Sequence, residues 1–462
     1  MNDKTVHIKS FGCQMNKLDT ALFTTALQDA GFGLTDSVKQ ADVVLINTCS
    51  VRDHAEQRVL SHIGHLKHMK KTRPQLVVGV IGCMAQRLGQ KLLEHDTVDI
   101  VCGPTQIPQI SRLIEQTLEK RKKTVAVTDQ IRSKVDNDQT QSLEQFESAF
   151  GIENKQLSNQ AFVRVMRGCD KFCTYCVVPY VRGPEISRPP EAIVEQIKKL
   201  ADQGVVQITL LGQSVNSYKY LAGEKTYCLA DLLYMISDIK GIEWIRFVTN
   251  YPHKEFLDDI LKAMAELPKV CEYLHMPAQS GSDKILKAMN RKYTAVEYMD
   301  MIEQARVTVP GIAISGDFIV GFSDETEEDF QATVDLVKTV RYKNCFIFKY
   351  SPRPGTGADK KLLDNIPQNI KKQRNTQLLS VQEEISGELS KQFIGQTVKV
   401  LVEGLSKKPH LDASENDSQP QLIGRTASDY IVVFNGPESL AGKFANIKIT
   451  RSMPLTLFGQ MA

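Results

Sequence analysis

Three segments, SFGCQMN, LINTCSVR and VIGCMAQ, each carry a cysteine one to three residues beyond an apolar, strand-like run: Cys13, Cys49 and Cys83. The intervals between them are 36 and 34 residues, close to one strand–helix–strand repeat. The apolar runs of this region, 6–11, 43–46, 76–81 and 98–102, alternate with helical patterns. In LDTALFTTALQDAG, Leu18, Leu22, Ala26 and Ala30 recur every four residues, and Gly31 can end the helix. This alternation predicts an open parallel sheet covered by helices over residues 1–125. Ligands of such sheets collect at the carboxyl ends of the strands. The three thiols can therefore converge although they are far apart in sequence. Singly, each fits a core thiol; as a matched set they are better explained as metal ligands. Cys102, in VDIVCGP, has a similar setting, and pattern alone does not exclude it as a fourth ligand.

Residues 126–158 are polar and irregular and read as a linker or a long functional loop. The alternation then resumes over residues 159–390. Strand candidates are 161–166, 206–211, 244–248, 270–275, 312–320 and 345–350. The clearest helix is PPEAIVEQIKKLADQG, with Pro190 in its first turn, an apolar face of Ile193, Ile197, Leu200 and Ala201, and Gly204 as cap. Another is opened by Asp324 with Glu327 as a capping-box pair. Six such units suit a partial (β/α)6 barrel better than a closed eight-unit one. After a charged helix ending near Phe393, residues 391–460 change character. QTVKVLVEG, QLIGRTA, DYIVVFNG and AGKFANIKITR are short, β-branched and separated by turn residues, which predicts a small all-β barrel. A polar loop, 406–420, interrupts it. The fold class is α/β with a C-terminal β barrel.

The sharpest motif is RGCDKFCTYCVVPYVRG. Cys169, Cys173 and Cys176 have C-x3-C-x2-C spacing directly after a strand candidate. Three thiolates on one short loop can ligate three corners of a cubane iron–sulfur cluster, leaving the fourth iron open to a small molecule. Zinc prefers four ligands, and the next histidine is His253. The C-x2-C-x2-C-x3-C run of an electron-transfer ferredoxin is absent.

Ten cysteines in a chain expected to be cytoplasmic point to metal or redox chemistry rather than disulfides. The start, MNDKTVHIKSFGC, lacks a charged-then-apolar leader, and no signal peptide is expected. No apolar run approaches the ~18 residues of a membrane span. Cys102, Cys228, Cys271 and Cys345 sit in apolar surroundings and read as buried thiols. A net charge of +3 cannot argue for nucleic acid; a local basic patch would be needed. The run Glu119–Lys123 reads as a solvated helix end, and His54, His62, His65 and His68 as a packed or solvated helix face.

The C-x3-C-x2-C loop resembles the signature of radical S-adenosylmethionine (SAM) enzymes. An N-terminal domain with three separated cysteines and a small C-terminal β barrel are similar to the methylthiotransferases of that group. SFGCQMN, CTYCVVPYVRG, LLGQSVNSY, HMPAQSGSD, DFIVGFSDETEEDF and FKYSPRPGTGA resemble the branch acting on isopentenyl-modified adenosine in tRNA. The likeness spans nearly the whole chain. It implies that Cys169, Cys173 and Cys176 hold a [4Fe-4S] cluster that chelates and cleaves SAM to a 5′-deoxyadenosyl radical. It implies that Cys13, Cys49 and Cys83 hold a second, auxiliary [4Fe-4S] cluster carrying the sulfur to be transferred. One cofactor molecule would methylate that sulfur, and another would supply the radical that takes hydrogen from carbon 2 of adenosine 37. Three thiolates would leave the auxiliary cluster an open iron, which favours a structural Cys102. The C-terminal barrel resembles a TRAM, OB-like RNA-binding domain. Implied partners are the tRNA anticodon stem-loop and a reducing electron donor, with no membrane; a monomer is the default.

Weaker expectations follow. Gln213, after Gly212, follows the second barrel strand, and Gln279, Ser280 and Asp317 lie at strand ends facing the same mouth; these are candidates for contacting SAM. Arg167, Arg182 and Arg188 flank the cluster loop and could hold tRNA phosphates or the cofactor carboxylate. In the barrel, Lys399, Lys407, Lys408, Arg425, Lys443, Lys448 and Arg451 could follow the RNA backbone. Rival readings are a methylthiotransferase of threonylcarbamoyl-adenosine or of a ribosomal protein, and a non-enzymatic iron–sulfur RNA-binding protein.

Overall fold

Runs of β-branched residues form the centre of a six-stranded parallel sheet. Across it the strands are Gly33–Leu34, Thr5–Phe11, Val43–Thr48, Val77–Gly82, Ile100–Cys102 and Thr124–Ala126. Val43–Thr48 and Val77–Gly82 are buried along their whole length, as strands covered on both faces must be. One face packs Phe23 and Leu27 of helix Gln14–Asp29 with Ile110 and Leu113 of helix Ile110–Lys120. The other packs Val59, Ile63 and Leu66 of helix Asp53–Thr72. The two edge strands are of only two and three residues and have no sequence pattern to reveal them. This computed structural model describes residues 4–50, 53–128, 137–150, 159–407 and 419–462. Lys408, most of the 406–420 loop and the side chain of His54 lie outside the described residues.

Within residues 126–158, expected as linker or loop, lies a helix, Asn137–Ser148. Its apolar contribution is small, and its glutamates Glu144 and Glu147 pair with buried arginines. A polar helix held by tertiary ion pairs has little periodicity to read.

Six parallel strands make the central partial barrel: Gln160–Arg164, Gln207–Leu211, Trp244–Phe247, Tyr273–His275, Ala313–Val320 and Asn344–Lys349. A parallel bridge between Ile245 and Val270 joins the two three-stranded halves. Helix Pro190–Asp202 begins at the expected proline. The helix expected to be opened by Asp324 and Glu327 is instead capped by Thr326 with Asp329, and spans Glu327–Val340. Asp324 has a left-handed backbone, φ 60°, which suits a turn rather than a cap.

The C-terminal barrel is closed by five strands: Thr397–Leu405, Gln421–Arg425, Ile431–Asn435, Phe444–Met453 and Thr456–Met461. The last escaped the sequence reading, since TLFGQM has a glycine at its centre and no clean alternation. A turn of this domain seals the amino-terminal end of the larger barrel. Arg246 donates to the carbonyls of Thr426 and, at 2.9 Å, of Ala427, and Lys343 pairs with Asp429 at 3.2 Å. The carboxyl ends of the barrel strands lie at the opposite end. Among the described residues no helix is long and apolar enough to cross a membrane.

Candidate functional site: two thiol trios at one domain interface

Register assembles the first trio. Phe11 is paired with Thr48, and Thr48 with Gly82, so three neighbouring strands end level. Cys13, Cys49 and Cys83 follow those ends within two residues. Cys13 and Cys49 also flank the point where strand order reverses, the usual ligand crevice of an open α/β sheet. The approach is close: a Cβ on Gly12 would lie 2.8 Å from the Cβ of Cys49. Asn16, fully buried, fixes the junction by donating to the Asn47 side chain at 3.1 Å and to the Thr48 carbonyl at 2.9 Å. Asn47 donates back to the Asn16 carbonyl at 2.8 Å. Asn16 was visible in SFGCQMN, three residues past the cysteine, yet only its burial reveals the role.

The trio differs from ordinary core thiols electrostatically. A hydrogen bond from Cys49, aided by backbone N–H groups of Asn16 and Met15 and by the Arg182 charge, overcomes burial and lowers Cys13 to a pKa of about 6. Cys13 is the N-cap of a 16-residue helix, where a thiolate is stabilised. Burial raises Cys83, against the opposing charge of Arg182, whose Nε donates to its Sγ at 3.2 Å. Cys102 is different in kind. It is packed among Val6, Leu45 and Ile100, and burial pushes its thiol up to about 12. It is a core thiol of the sheet domain.

The second trio sits on the loop after strand Gln160–Arg164. Gly168 precedes it with φ +70°, and a Cβ there would strike the Pro184 carbonyl oxygen at 1.8 Å, so only glycine fits. Asp170 and Glu185 clasp reciprocally: the Asp170 N–H donates to Glu185 and the Glu185 N–H to Asp170. Thr174 is bonded on both sides, to the carbonyls of Ala288 and Met289 and from the N–H of Ala358. Phe172 holds a left-handed backbone, φ 48°, which a bulky side chain rarely adopts. Burial pushes Cys169 up to about 11 and Cys176 higher still. Arg291 donates to Cys173 Sγ at 3.4 Å and is stacked between Tyr251 and Tyr293. Nothing in NRKY singled it out in the sequence.

The two trios adjoin. Cys83 packs with Val177 and Val181, just beyond Cys176, and Arg182 ends the same segment. Neighbouring strands lie about 4.8 Å apart, so thiols on successive strand ends span more than one ion requires. Among the described residues no three His, Cys, Asp or Glu side chains close on a single metal ion. A donor set of three spread thiols, with one arginine donating to a sulfur in each trio, suits an anionic iron–sulfur cluster better than a lone zinc, which seeks four close ligands.

The remaining candidates separate. Gln213 is half-buried beyond strand Gln207–Leu211, and its Oε1 has no hydrogen-bond partner. The Gln279 backbone bridges Phe318 in a left-handed conformation, and Asp317 Oδ1 lies 3.4 Å from His275 Nε2 inside the barrel. Asp317 is mid-strand rather than at a strand end. Ser280 turns away from the barrel mouth: its hydroxyl bonds Thr333 and accepts from the Ser282 N–H. Arg182, expected to face substrate, is instead buried on Asp19 and Cys83, and Arg167 and Arg188 are buried on Glu144 and Glu147. None of the three is open to tRNA phosphates, because each fills a domain junction. In the small barrel, Lys399 and Lys448 are exposed on adjacent strands. Arg425 is tied to Glu403 and Asp429, which neutralises it. His62 packs edge-on to Phe11.

Three stretches of the chain match known domain families. Residues 5–103 match the model of "Uncharacterized protein family UPF0004", residues 163–337 the radical SAM superfamily and residues 391–462 the TRAM domain. A solved radical S-adenosylmethionine methyltransferase, TsrM from Kitasatospora setae, aligns with a TM-score of 0.51 at 15% identity over 77% of this chain and 74% of that one; the likeness is one of fold. The chain is a radical SAM enzyme with a TRAM domain. A Rhodopirellula baltica protein named tRNA-2-methylthio-N(6)-dimethylallyladenosine synthase is 44% identical over 99% of this chain and 95% of its own length. Namesakes from Thermoanaerobacter sp. and Carboxydothermus hydrogenoformans are 42% and 40% identical, over 98% and 99% of this chain and 92% and 99% of theirs. The chain belongs to the tRNA-2-methylthio-N(6)-dimethylallyladenosine synthase family.

Proposed function

We propose that this enzyme adds a methylthio group to carbon 2 of N6-isopentenyladenosine at tRNA position 37, with SAM and two [4Fe-4S] clusters. The observation that carries the reading is the packing of Cys83 against Val177 and Val181, with Arg182 on its sulfur. It puts a second set of ligands beside the radical SAM loop, where one nucleotide could meet both.

On this reading residues 1–125 carry the auxiliary cluster, residues 159–390 are the radical SAM core and residues 391–460 bind RNA. Cys169, Cys173 and Cys176 would hold the cluster that binds SAM, and Cys13, Cys49 and Cys83 the auxiliary one. Bound there, these groups supply radical and sulfur chemistry, which an unactivated aromatic carbon with no acid–base handle requires. The chain's own residues prepare the place. Asn16 and Asn47 hold Cys13 against Cys49, and the hydrogen bond from Cys49 readies Cys13 as a thiolate. Arg291 sets a fixed positive charge on Cys173. Gln213, Gln279 and Asp317 offer polar atoms to the amino acid and ribose parts of SAM. The turn around Thr426 packs against the far end of the barrel through Arg246 and Lys343. Lys399 and Lys448 would attract the backbone of the anticodon stem-loop. An unpaired loop base can be splayed out into a pocket. A reductant must supply electrons from outside, and a single chain is taken as the working unit.

The test is anaerobic incubation of the reconstituted enzyme with dithionite, SAM and either isopentenylated or unmodified tRNA. 5′-Deoxyadenosine and a methylthio nucleoside, found by mass spectrometry only with the isopentenylated tRNA, are expected. Product on threonylcarbamoyl-adenosine or on protein would replace the substrate, and absence of 5′-deoxyadenosine would sink the reading.

A further inference from the structure

Four arginines and three carboxylates are packed where the sheet domain meets the barrel. Arg164, Arg167, Arg182 and Arg188 are each no more than 9% exposed. Arg164 and Arg182 share Asp19. Arg164, Arg167 and Arg188 share Glu147, and Glu144 pairs with Arg188 at 2.7 Å. Burial alone would raise the Glu147 carboxyl, but its three arginines bring it down to about 2. Guanidinium groups keep their proton in proteins. The network therefore holds one guanidinium more than it has carboxylates, and a buried charge calls for a counter-charge close by. The excess has an outlet at one end. Arg182 is anchored to Asp19 at 2.6 Å by Nη2 and turns Nε to Cys83 Sγ at 3.2 Å.

We propose that Arg182 is a positioning residue for the auxiliary cluster. Its guanidinium, anchored by Asp19, orients the Cys83 sulfur and offsets the negative charge of a cluster bound by Cys13, Cys49 and Cys83. The same contact ties that cluster to the segment that follows Cys176. The inference rests on the two-cluster reading above. It assigns to the chain's own charge network a role that the six thiols do not describe, because partners of metal ligands set both affinity and potential.

Full-length protein carrying Cys169→Ala, Cys173→Ala and Cys176→Ala, reconstituted anaerobically, isolates the auxiliary site. In that background Arg182→Gln is expected to move the cluster's midpoint potential, followed by electron paramagnetic resonance, to a more negative value. Removing a nearby positive charge disfavours the incoming electron. Iron release to a chelator should quicken about tenfold. Arg182→Lys, which keeps the charge, should restore the potential while release stays intermediate; a side chain that only fills space predicts no such rescue. Equal potentials in Arg182→Gln and its parent, with a cluster in both, overturn the proposal. A parent that takes up no cluster overturns the two-cluster reading, and the proposal with it. Should Arg182→Gln not fold, Asp19→Asn removes the anchor but keeps the arginine's charge. It is expected to speed iron release, and unchanged release would overturn the proposal.

Discussion

The two thiol trios reach adjoining places by opposite routes. Cys169, Cys173 and Cys176 lie on one loop, and their geometry is secured locally by Gly168, the Asp170–Glu185 clasp and Thr174. Cys13, Cys49 and Cys83 come from three strand ends and owe their meeting to the register of a whole sheet. Their charge states differ too. Cys13 is lowered to about 6, whereas burial raises Cys169 to about 11 and Cys176 further. A contiguous motif can wait as protonated thiols and give up its protons to an arriving metal. The dispersed trio has one sulfur readied in advance, at a helix N-cap and near an arginine. Local security should make the loop trio tolerant of distant change, and the dispersed trio sensitive to anything that shifts the domain junction.

The largest effects should fall on chemistry. Cys173→Ala should abolish 5′-deoxyadenosine and leave about four irons, the auxiliary cluster alone. Cys49→Ala should also leave about four irons and abolish the methylthio nucleoside, but 5′-deoxyadenosine should persist. Iron analysis and product chromatography read both. If Cys49→Ala ended cofactor cleavage as well, the two trios would not be separable. Next in size is stability. Asp19→Ala leaves Arg164 and Arg182 buried without their shared partner, which should cost about 3–5 kcal/mol in chemical denaturation of the apo-protein. Glu185→Ala, in the solvent-accessible clasp of the loop trio, should cost about 1 kcal/mol or less. Equal losses would erase the contrast between the two sites.

The same contrast explains what the sequence disclosed. The loop trio was legible as a motif, and the dispersed trio as three repeats of strand then cysteine, because both are carried by local pattern. So were the six barrel strands, whose runs are β-branched and bounded by turn residues. What failed to show depends on pairing across the fold. Helix Asn137–Ser148 presents a polar surface whose glutamates pair with arginines 17 to 44 residues downstream, so nothing nearby marks it. Arg182 read as a phosphate ligand because a basic residue beside a cluster loop is normally exposed; only the packing of the sheet domain over it turns it inward. Ser280 has its hydroxyl taken by Thr333 and the Ser282 N–H, partners that no local pattern announces. Arg291 and Asn16 became visible only when their partners were placed.

A chemical probe of the apo-protein sharpens the electrostatic half of the comparison. At pH 7 Cys13 should be mostly thiolate and Cys169 almost wholly thiol. A thiol of lower pKa is also intrinsically less nucleophilic, with a Brønsted slope near 0.4–0.5. That discount still leaves Cys13 alkylated roughly 30- to 90-fold faster by iodoacetamide. The Cys13 rate should rise with pH through a midpoint of about 6 and then level, while the Cys169 rate should still climb at pH 9. Peptide mass spectrometry after timed quenching measures both. Asn16→Ala should raise the Cys13 midpoint, since it removes the link that holds Cys13 beside Cys49. An unchanged midpoint would mean that the helix N-terminus alone readies the sulfur.

The smallest effect should come from the other end of the molecule, where neither trio is in reach. Lys399 and Lys448 are exposed on neighbouring strands of the small barrel, while Arg425 is already held by Glu403 and Asp429. Each phosphate contact contributes roughly 0.7–0.9 to the slope of log affinity against log salt. Lys399→Ala with Lys448→Ala should therefore flatten that slope for tRNA by about 1–2, and Arg425→Ala should alter it far less. Iron content and Cys13 reactivity should match the parent in both variants, since the small barrel packs on the amino-terminal end of the larger one, away from the thiols. Binding isotherms at several salt concentrations decide it. A full effect from Arg425 would show that its ion pairs give way to phosphate, and loss of iron from the lysine pair would show that the dispersed trio depends on more than its own domain junction.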